Sequence, residues 1–272
     1  MTLFDPVDDV PAPAGPHVRV RMTVAYDGTD FRGFAPNAGV TTVGGTLEAQ
    51  LEKVLGQPVP LTCAGRTDAG VHAWGQVVSF DAPADRLDLD ALMRSINRTG
   101  DGSIAVRDAA IVDHSFDARF SATGRAYRYT VVNRPEPDPF LRRTAWHVDQ
   151  PLDLRLLRLA CDPLIGLHDF SSFCRAKQIR APQQAAGEVA PIPMRRVADA
   201  RWVALDDGVL RFEIEAKAFC QQMVRSIVGT LVEVGLGRRT PADVGTILRA
   251  RDRRVAGQVA PPHGLCLWAV RY

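Results

Sequence analysis

Lysine is nearly missing from this sequence: Lys53, Lys177 and Lys217 are the only lysines among 33 basic residues. The rest are arginines, whose rigid fork suits bidentate phosphate contacts and stacking on bases. A GC-rich genome produces the same bias, so composition leaves both readings open. Cysteine is sparse as well. Cys63, Cys161, Cys174, Cys220 and Cys266 are odd in number, and none stands in a C-x-x-C pair, which argues against structural zinc and against disulfides. No stretch reaches the ~18 uncharged apolar residues of a membrane span. Asp5, Asp8 and Asp9 stand where a secretory leader would carry a basic region. The expected address is therefore the cytoplasm, with no membrane partner.

What remains is an ordinary globular composition, 46% hydrophobic and 24% charged, which excludes wholesale disorder, collagen and coiled coil. At 272 residues the chain makes one large domain or two small ones. Residues 1–16 hold Pro6, Pro11, Pro13 and Pro16 with little to bury, and read as a tail.

The alternation Val18, Val20, Met22, Val24, Tyr26 predicts a half-buried strand, with Asp27-Gly28 as its turn. Val43, Leu47, Leu51, Val54 and Leu55 recur at helical spacing up to Gly56. Short strands follow at Val59–Cys63 and Gln76–Phe80, then a helix capped by Asp88 and a strand at Ile104–Arg107.

A second half repeats that order. It has a strand from Tyr127, a helix over Leu152–Ile165, a hairpin turning at Asp206-Asp207-Gly208, a helix from Gln221 to Val234 and another from Thr240-Pro241. The last strand, Leu265–Val270, reads as buried on both faces. The expected fold is α+β: residues 17–118 and 119–272 as two similar halves, each with a mixed, largely antiparallel sheet, forming a central cleft.

One segment carries chemistry. In Cys63-Ala64-Gly65-Arg66-Thr67-Asp68-Ala69-Gly70-Val71-His72-Ala73, small residues surround one cation, one carboxylate and one imidazole between two strands. Small neighbours let a bulky ligand approach the backbone, and a carboxylate with only Arg66 nearby is available as nucleophile or base. The same residues also suit a plain capped turn. An aspartate-nucleophile hydrolase needs several carboxylates for magnesium, and residues 61–80 hold Asp68 alone. His17, His114, His147, His168 and His263 show no metal-ligand spacing, and His72 reads as a structural group, so no metal is expected.

Gly65-Arg66-Thr67-Asp68-Ala69-Gly70-Val71-His72-Ala73 resembles the active-site motif of the TruA family of tRNA pseudouridine synthases. The resemblance extends through Tyr26-Asp27-Gly28, Arg119-Phe120-Ser121-Ala122, Tyr127-Arg128-Tyr129, Met223-Val224-Arg225 and Gly264-Leu265. It implies a homodimeric, cofactor-free isomerase that converts uridine to pseudouridine at positions 38–40 of the tRNA anticodon stem-loop. Asp68 would be the nucleophile and Arg66 would fill the place of a flipped-out uridine. Tyr127 would stack on the base, Arg225 would pair with Asp68, and Leu265 would close the pocket.

Periodicity gives Tyr129 the same phase as Tyr127, and only the resemblance selects between them. Arg225 in an apolar helix requires a partner carboxylate if buried, or else snorkels to the surface. For tRNA contacts, Arg119, Arg125, Arg128, Arg142 and Arg143 belong to a patch of net +4 over residues 119–143, and residues 238–254 carry another +4.

The sequence departs from the family in two places. Phe34-Ala35 replaces a frequent Trp-Gln, and the loop Arg175–Arg196 is long. The alternative function is a non-catalytic tRNA-binding protein on the same fold, for which Asp68 would be dispensable.

Overall fold

The computed structural model describes residues 16–175 and 193–272. The expected tail, Pro16 apart, and most of the loop Arg175–Arg196 lie outside the described residues. In the first half β1 (His17–Tyr26) buries Val20, Met22 and Val24 on one face, as its alternation requires. The helix α1 (Val43–Leu55) starts where the Thr42 hydroxyl accepts from the Gly45 N–H. It ends at Gly56, whose left-handed φ of 72° suits glycine. The short β2 (Thr62–Cys63) and the long β3 (His72–Pro83) follow. After them come α2 (Leu89–Thr99), capped by the Asp88 carboxylate, and β4 (Ile104–Val112).

The second half runs β5 (Gly124–Val132), β6 (Trp146–His147), α3 (Leu154–Leu159), β7 (Gly166–Asp169), β8 (Met194–Ala204) and β9 (Val209–Ala216). It then continues through α4 (Met223–Gly235), α5 (Pro241–Ala250) and β10 (Leu265–Arg271). Thr240 and Asp243 close a capping box on α5.

One sheet runs through both halves in the order β4-β1-β3-β10-β5-β9-β8-β7, with β2 beside β3 and β6 beside β5. The last strand is its keystone. β10 pairs parallel with the start of β3, Cys266 opposite His72, and antiparallel with β5, Leu265 opposite Tyr129. The helices bury one continuous apolar core that joins Val20, Met22 and Leu47 to Leu157, Phe212 and Leu231.

Three expectations are corrected. The helix read over Leu152–Ile165 stops at Leu159, and Asp162–Leu164 forms a separate 3-10 turn, because Pro163 has no N–H to offer an α-helical ladder. The strand β10 is buried on one face only. Leu265 and Leu267 are inside, whereas Trp268 is only partly buried and stacks on the exposed Trp74 with centroids 5.8 Å apart. Disulfides were not expected, yet Cys174 and Cys220 are joined, with Cα atoms 5.7 Å apart. Their 46-residue separation leaves no spacing pattern to read.

Among the described residues, the approach of α4 to the segment before β10 sets the tightest glycine contact. A Cβ on Gly229 would sit 1.8 Å from the Gln258 carbonyl oxygen, so the helix and that backbone touch directly. Gly229→Ala is expected to destabilise the protein by about 1–3 kcal/mol, read as a lowered midpoint in urea unfolding. Gly245→Ala in α5, where a Cβ meets the flexible end of Arg249 at 3.4 Å, is expected to be neutral or to stabilise by up to about 1 kcal/mol.

Candidate active site

Residues 64–71 form a loop between β2 and β3, at the point where β3 meets β10. Its backbone groups have side-chain partners, as buried polar groups must. The amide of Gln76, fully buried, receives the Gly65 N–H at 3.3 Å and donates to the Gly65 carbonyl at 2.6 Å. The Thr67 hydroxyl pairs with the Tyr26 hydroxyl at 2.8 Å, and the Thr67 carbonyl accepts from the Phe34 N–H at 3.1 Å. A Cβ on Gly28 would lie 2.0 Å from the Val71 carbonyl oxygen, which is why Tyr26-Asp27-Gly28 can wrap the loop so closely.

His72 secures the loop's far end. Its Nδ1 accepts the Gly28 N–H at 3.0 Å, and its Nε2 faces the carbonyls of Arg143 and His263 at 2.9 and 3.0 Å. The Asp27 carboxylate also lies 3.1 Å from Nδ1.

Asp68 projects from this loop toward α4, its side chain 28% exposed. Arg225 Nη1 donates to its Oδ2 at 3.5 Å, and Gln221 Nε2 donates to its Oδ1 at 3.3 Å. Arg225 is the guanidinium on an otherwise apolar helix face, and its Nε donates to the Ala260 carbonyl at 2.7 Å. Burial pulls the Arg225 pKa below its ordinary value, and the facing Asp68 opposes that pull.

Tyr127 and Tyr129 point to the same side of β5 but have different surroundings. The Tyr129 hydroxyl donates to the Pro261 carbonyl at 2.8 Å, and its ring fills the space left by the missing side chain of Gly264. The Tyr127 ring instead meets Phe219 edge-on at 5.1 Å, with its hydroxyl near Gly65. Burial is the first cause that drives the Tyr127 hydroxyl ionisation upward, with a further rise from Asp68, so the ring is neutral at any working pH. Leu265 is buried across the ladder from Tyr129, and Arg66 is exposed.

The candidate tRNA-contacting arginines part company. Arg125 is buried: its Nε and Nη2 donate to the Ala64 carbonyl, Nη2 also to that of Arg119, and Nη1 to that of Lys217. Arg128 lies on the opposite face of β5 from Tyr127, paired with Glu213 at 2.9 Å and 3.6 Å over the Trp268 ring. Arg119 and Arg142 are exposed, and Arg143 is paired with Asp30 at 2.5 Å. In the second patch, Arg239, Arg251 and Arg254 are matched to Glu233, Asp169 and Asp252.

Sequence reading missed Gln76 and Gln221, since a lone glutamine carries no spacing signal. Among the described residues no group of three or more His, Cys, Asp or Glu is placed to hold a metal ion. A carboxylate between two donors keeps lone pairs free to act as a nucleophile or base.

A family model described as tRNA pseudouridine synthase matches residues 22–121 and 160–272. The tRNA pseudouridine synthase A of Brevibacillus brevis is 42% identical over 254 residues, covering 93% of this chain and 99% of its own. That of Bacillus subtilis is 40% identical over 258 residues, covering 94% and 99%. That of Dechloromonas aromatica is 42% identical over 249 residues, covering 91% and 90%. A solved Cbf5-Nop10-Gar1 complex overlaps 78% of this chain and 45% of its own, at TM-score 0.32 and 10% identity, and adds nothing to the argument.

The different placements of two arginines give a test. Arg125→Met strands three carbonyls and is expected to cost about 2–4 kcal/mol in urea unfolding. Arg142→Met, at an exposed position, is expected to change stability by no more than about 0.5 kcal/mol.

Proposed function

The chain belongs to the tRNA pseudouridine synthase family, and from that membership we propose that it isomerises uridine to pseudouridine in the anticodon stem-loop of tRNA, at positions 38–40, with Asp68 as nucleophile. The observation that supports the assignment to Asp68 is its carboxylate, held at the mouth of α4 by Arg225 and Gln221.

The target uridine leaves its stack, which costs a few kcal/mol. Stacking on Tyr127, worth roughly 1–3 kcal/mol, offsets part of that cost, and the exposed Arg66 occupies the vacated place. An oxygen of Asp68 then bonds to a carbon of the nucleotide, in the base or at C1′ of the sugar. The N1–C1′ bond breaks, the base turns, and C5 bonds to C1′ as Asp68 departs. C5 loses a proton to water and N1 gains one, so the reaction balances without cofactor, oxidant or reductant.

Leu265 helps close the pocket. Of the arginines, the exposed Arg119 and Arg142 suit phosphate contacts, with Arg143 at their margin. The remaining parts of the reading are a homodimer, in which basic patches of one protomer serve the other's site, and a cytoplasmic address. No helix among the described residues is long and apolar enough to cross a membrane.

Tritium release from C5-labelled uridine in unmodified tRNA tests the chemistry, with filter binding run alongside. The wild type is expected to release tritium and Asp68→Asn to release none while still binding. Binding without release by either protein would instead make this a tRNA-binding relative. In the same binding assay, Arg142→Met is expected to shallow the slope of log affinity against log salt by about 0.7–0.9.

A further inference from the structure

Asp68 accepts one hydrogen bond on each carboxylate oxygen, and the two donors come from one short stretch of chain. Arg225 stands in the first turn of α4, and Gln221 lies two residues before that helix begins. The helix predicted from Gln221 in fact starts at Met223, because Gln222 takes a left-handed φ of 64°. For a non-glycine residue that conformation costs on the order of 1 kcal/mol and persists only where its surroundings determine it. Here it turns the chain so that the Gln221 amide faces the loop that carries Asp68.

The surroundings are well defined. The Gln221 carbonyl accepts the Arg175 N–H at 3.1 Å, and the preceding Cys220 is bonded to Cys174. The Cys220 carbonyl accepts the Met223 N–H at 3.1 Å, and the Gln222 carbonyl accepts the Ser226 N–H at 2.9 Å. One residue further back, Phe219 supports the Tyr127 ring. The segment Phe219–Gln222 is thus anchored on both sides while it presents one side chain to the stacking ring and another to the carboxylate.

We propose that Gln221 is a positioning residue for the Asp68 carboxylate, sharing with Arg225 the fixing of its plane. This rests on the reading of Asp68 as nucleophile. A carboxylate held by a single donor still turns about its Cβ–Cγ bond, whereas one donor on each oxygen sets which lone pair meets the reacting carbon. The amide does this without adding charge. It therefore leaves the electrostatic balance to Arg225, and it can keep donating to the remaining oxygen once the other is bonded to the substrate.

Among the described residues, the charged and titratable groups that act on Asp68 are Arg225 from α4 and Tyr127 from β5, with Arg66 exposed two residues before it in the same loop. Tyr129 and His263 face Arg225 in turn. All are shared by the wild type and a Gln221 variant, so a ratio of their rates cancels them.

The experiment measures kcat and KM by tritium release for wild type, Gln221→Leu, Gln221→Glu and Asp68→Asn between about pH 5 and pH 9. Filter binding and melting curves accompany it. Gln221→Leu is expected to lose about tenfold in kcat, the effect of one hydrogen bond to a charged group, with KM and tRNA binding unchanged. The introduced acid of Gln221→Glu repels Asp68 when ionised and donates to it when protonated, so the ratio of its rate to wild type is expected to rise as pH falls. A role confined to folding would move the melting curve and leave that ratio flat.

A flat ratio overturns the proposal, as does a leucine variant with wild-type kcat. Activity in Asp68→Asn overturns it together with the nucleophile reading. An inactive Asp68→Asn beside an unaffected leucine variant overturns the role of Gln221 alone.

Discussion

A guanidinium on a buried helix must meet a carboxylate, and in this protein that requirement joins the two halves of the chain. Arg225 and Asp68 are 157 residues apart, and their contact exists because β10 inserts between β3 and β5 and draws α4 over the loop that precedes β3. Burial pulls the Arg225 pKa down and Asp68 opposes that pull, so removing the carboxylate would leave a buried guanidinium without its counter-charge. The Ala260 carbonyl accepts from the guanidinium Nε, and the same residue's N–H returns to the Arg225 carbonyl at 3.1 Å. The closeness of Gly229 to Gln258 is what permits that exchange.

The loop that carries Asp68 is held by side chains from both halves. Gln76 and Tyr26 belong to the first, and Arg125 belongs to the second. A loop built from Ala64, Gly65, Ala69 and Gly70 has few side chains of its own with which to fix a shape, so its backbone groups are satisfied from outside. Arg125 shows this most clearly. Composition and its neighbours marked it as a candidate phosphate contact, yet its donors tie Ala64 to Arg119 and Lys217, joining three segments that border the site.

Much of this was legible in the sequence, and the failures have physical causes. Period-two and helical spacing located β1, α1, α2 and the β8–β9 hairpin, because each buries one regular face. The cost of burying Arg225 called for a partner carboxylate, and the family resemblance alone named Asp68 as that partner. Alternation could not separate Tyr127 from Tyr129. What distinguishes them is the Pro261 carbonyl and the gap at Gly264, both more than a hundred residues away. The Cys174–Cys220 bond and the Gln221 amide escaped for the same reason, since a single cysteine or glutamine carries no pattern and takes its meaning only from the partner that folding brings to it.

The β5 strand also shows why a basic patch in sequence is not a basic patch in space. Arg128 and Tyr127 are neighbours in the chain, and the pleat sends them to opposite faces of the sheet. On the face away from Asp68, Arg128 lies over Trp268 and against Glu213, which Arg201 and Arg211 also engage. That face neutralises its arginines internally. On the other side, Arg66 in the loop itself and Arg119, tied through Arg125 to Ala64, remain exposed, while Tyr127 is buried and Asp68 partly so. A polyanion that approached this side would find cations at the rim first and the neutral ring and carboxylate only after a base had been turned inward. The order matters because a surface carboxylate would repel the phosphates that the reaction needs close by. Recessing Asp68 between two donors lets one surface attract an anionic strand while the carboxylate meets only what enters the site.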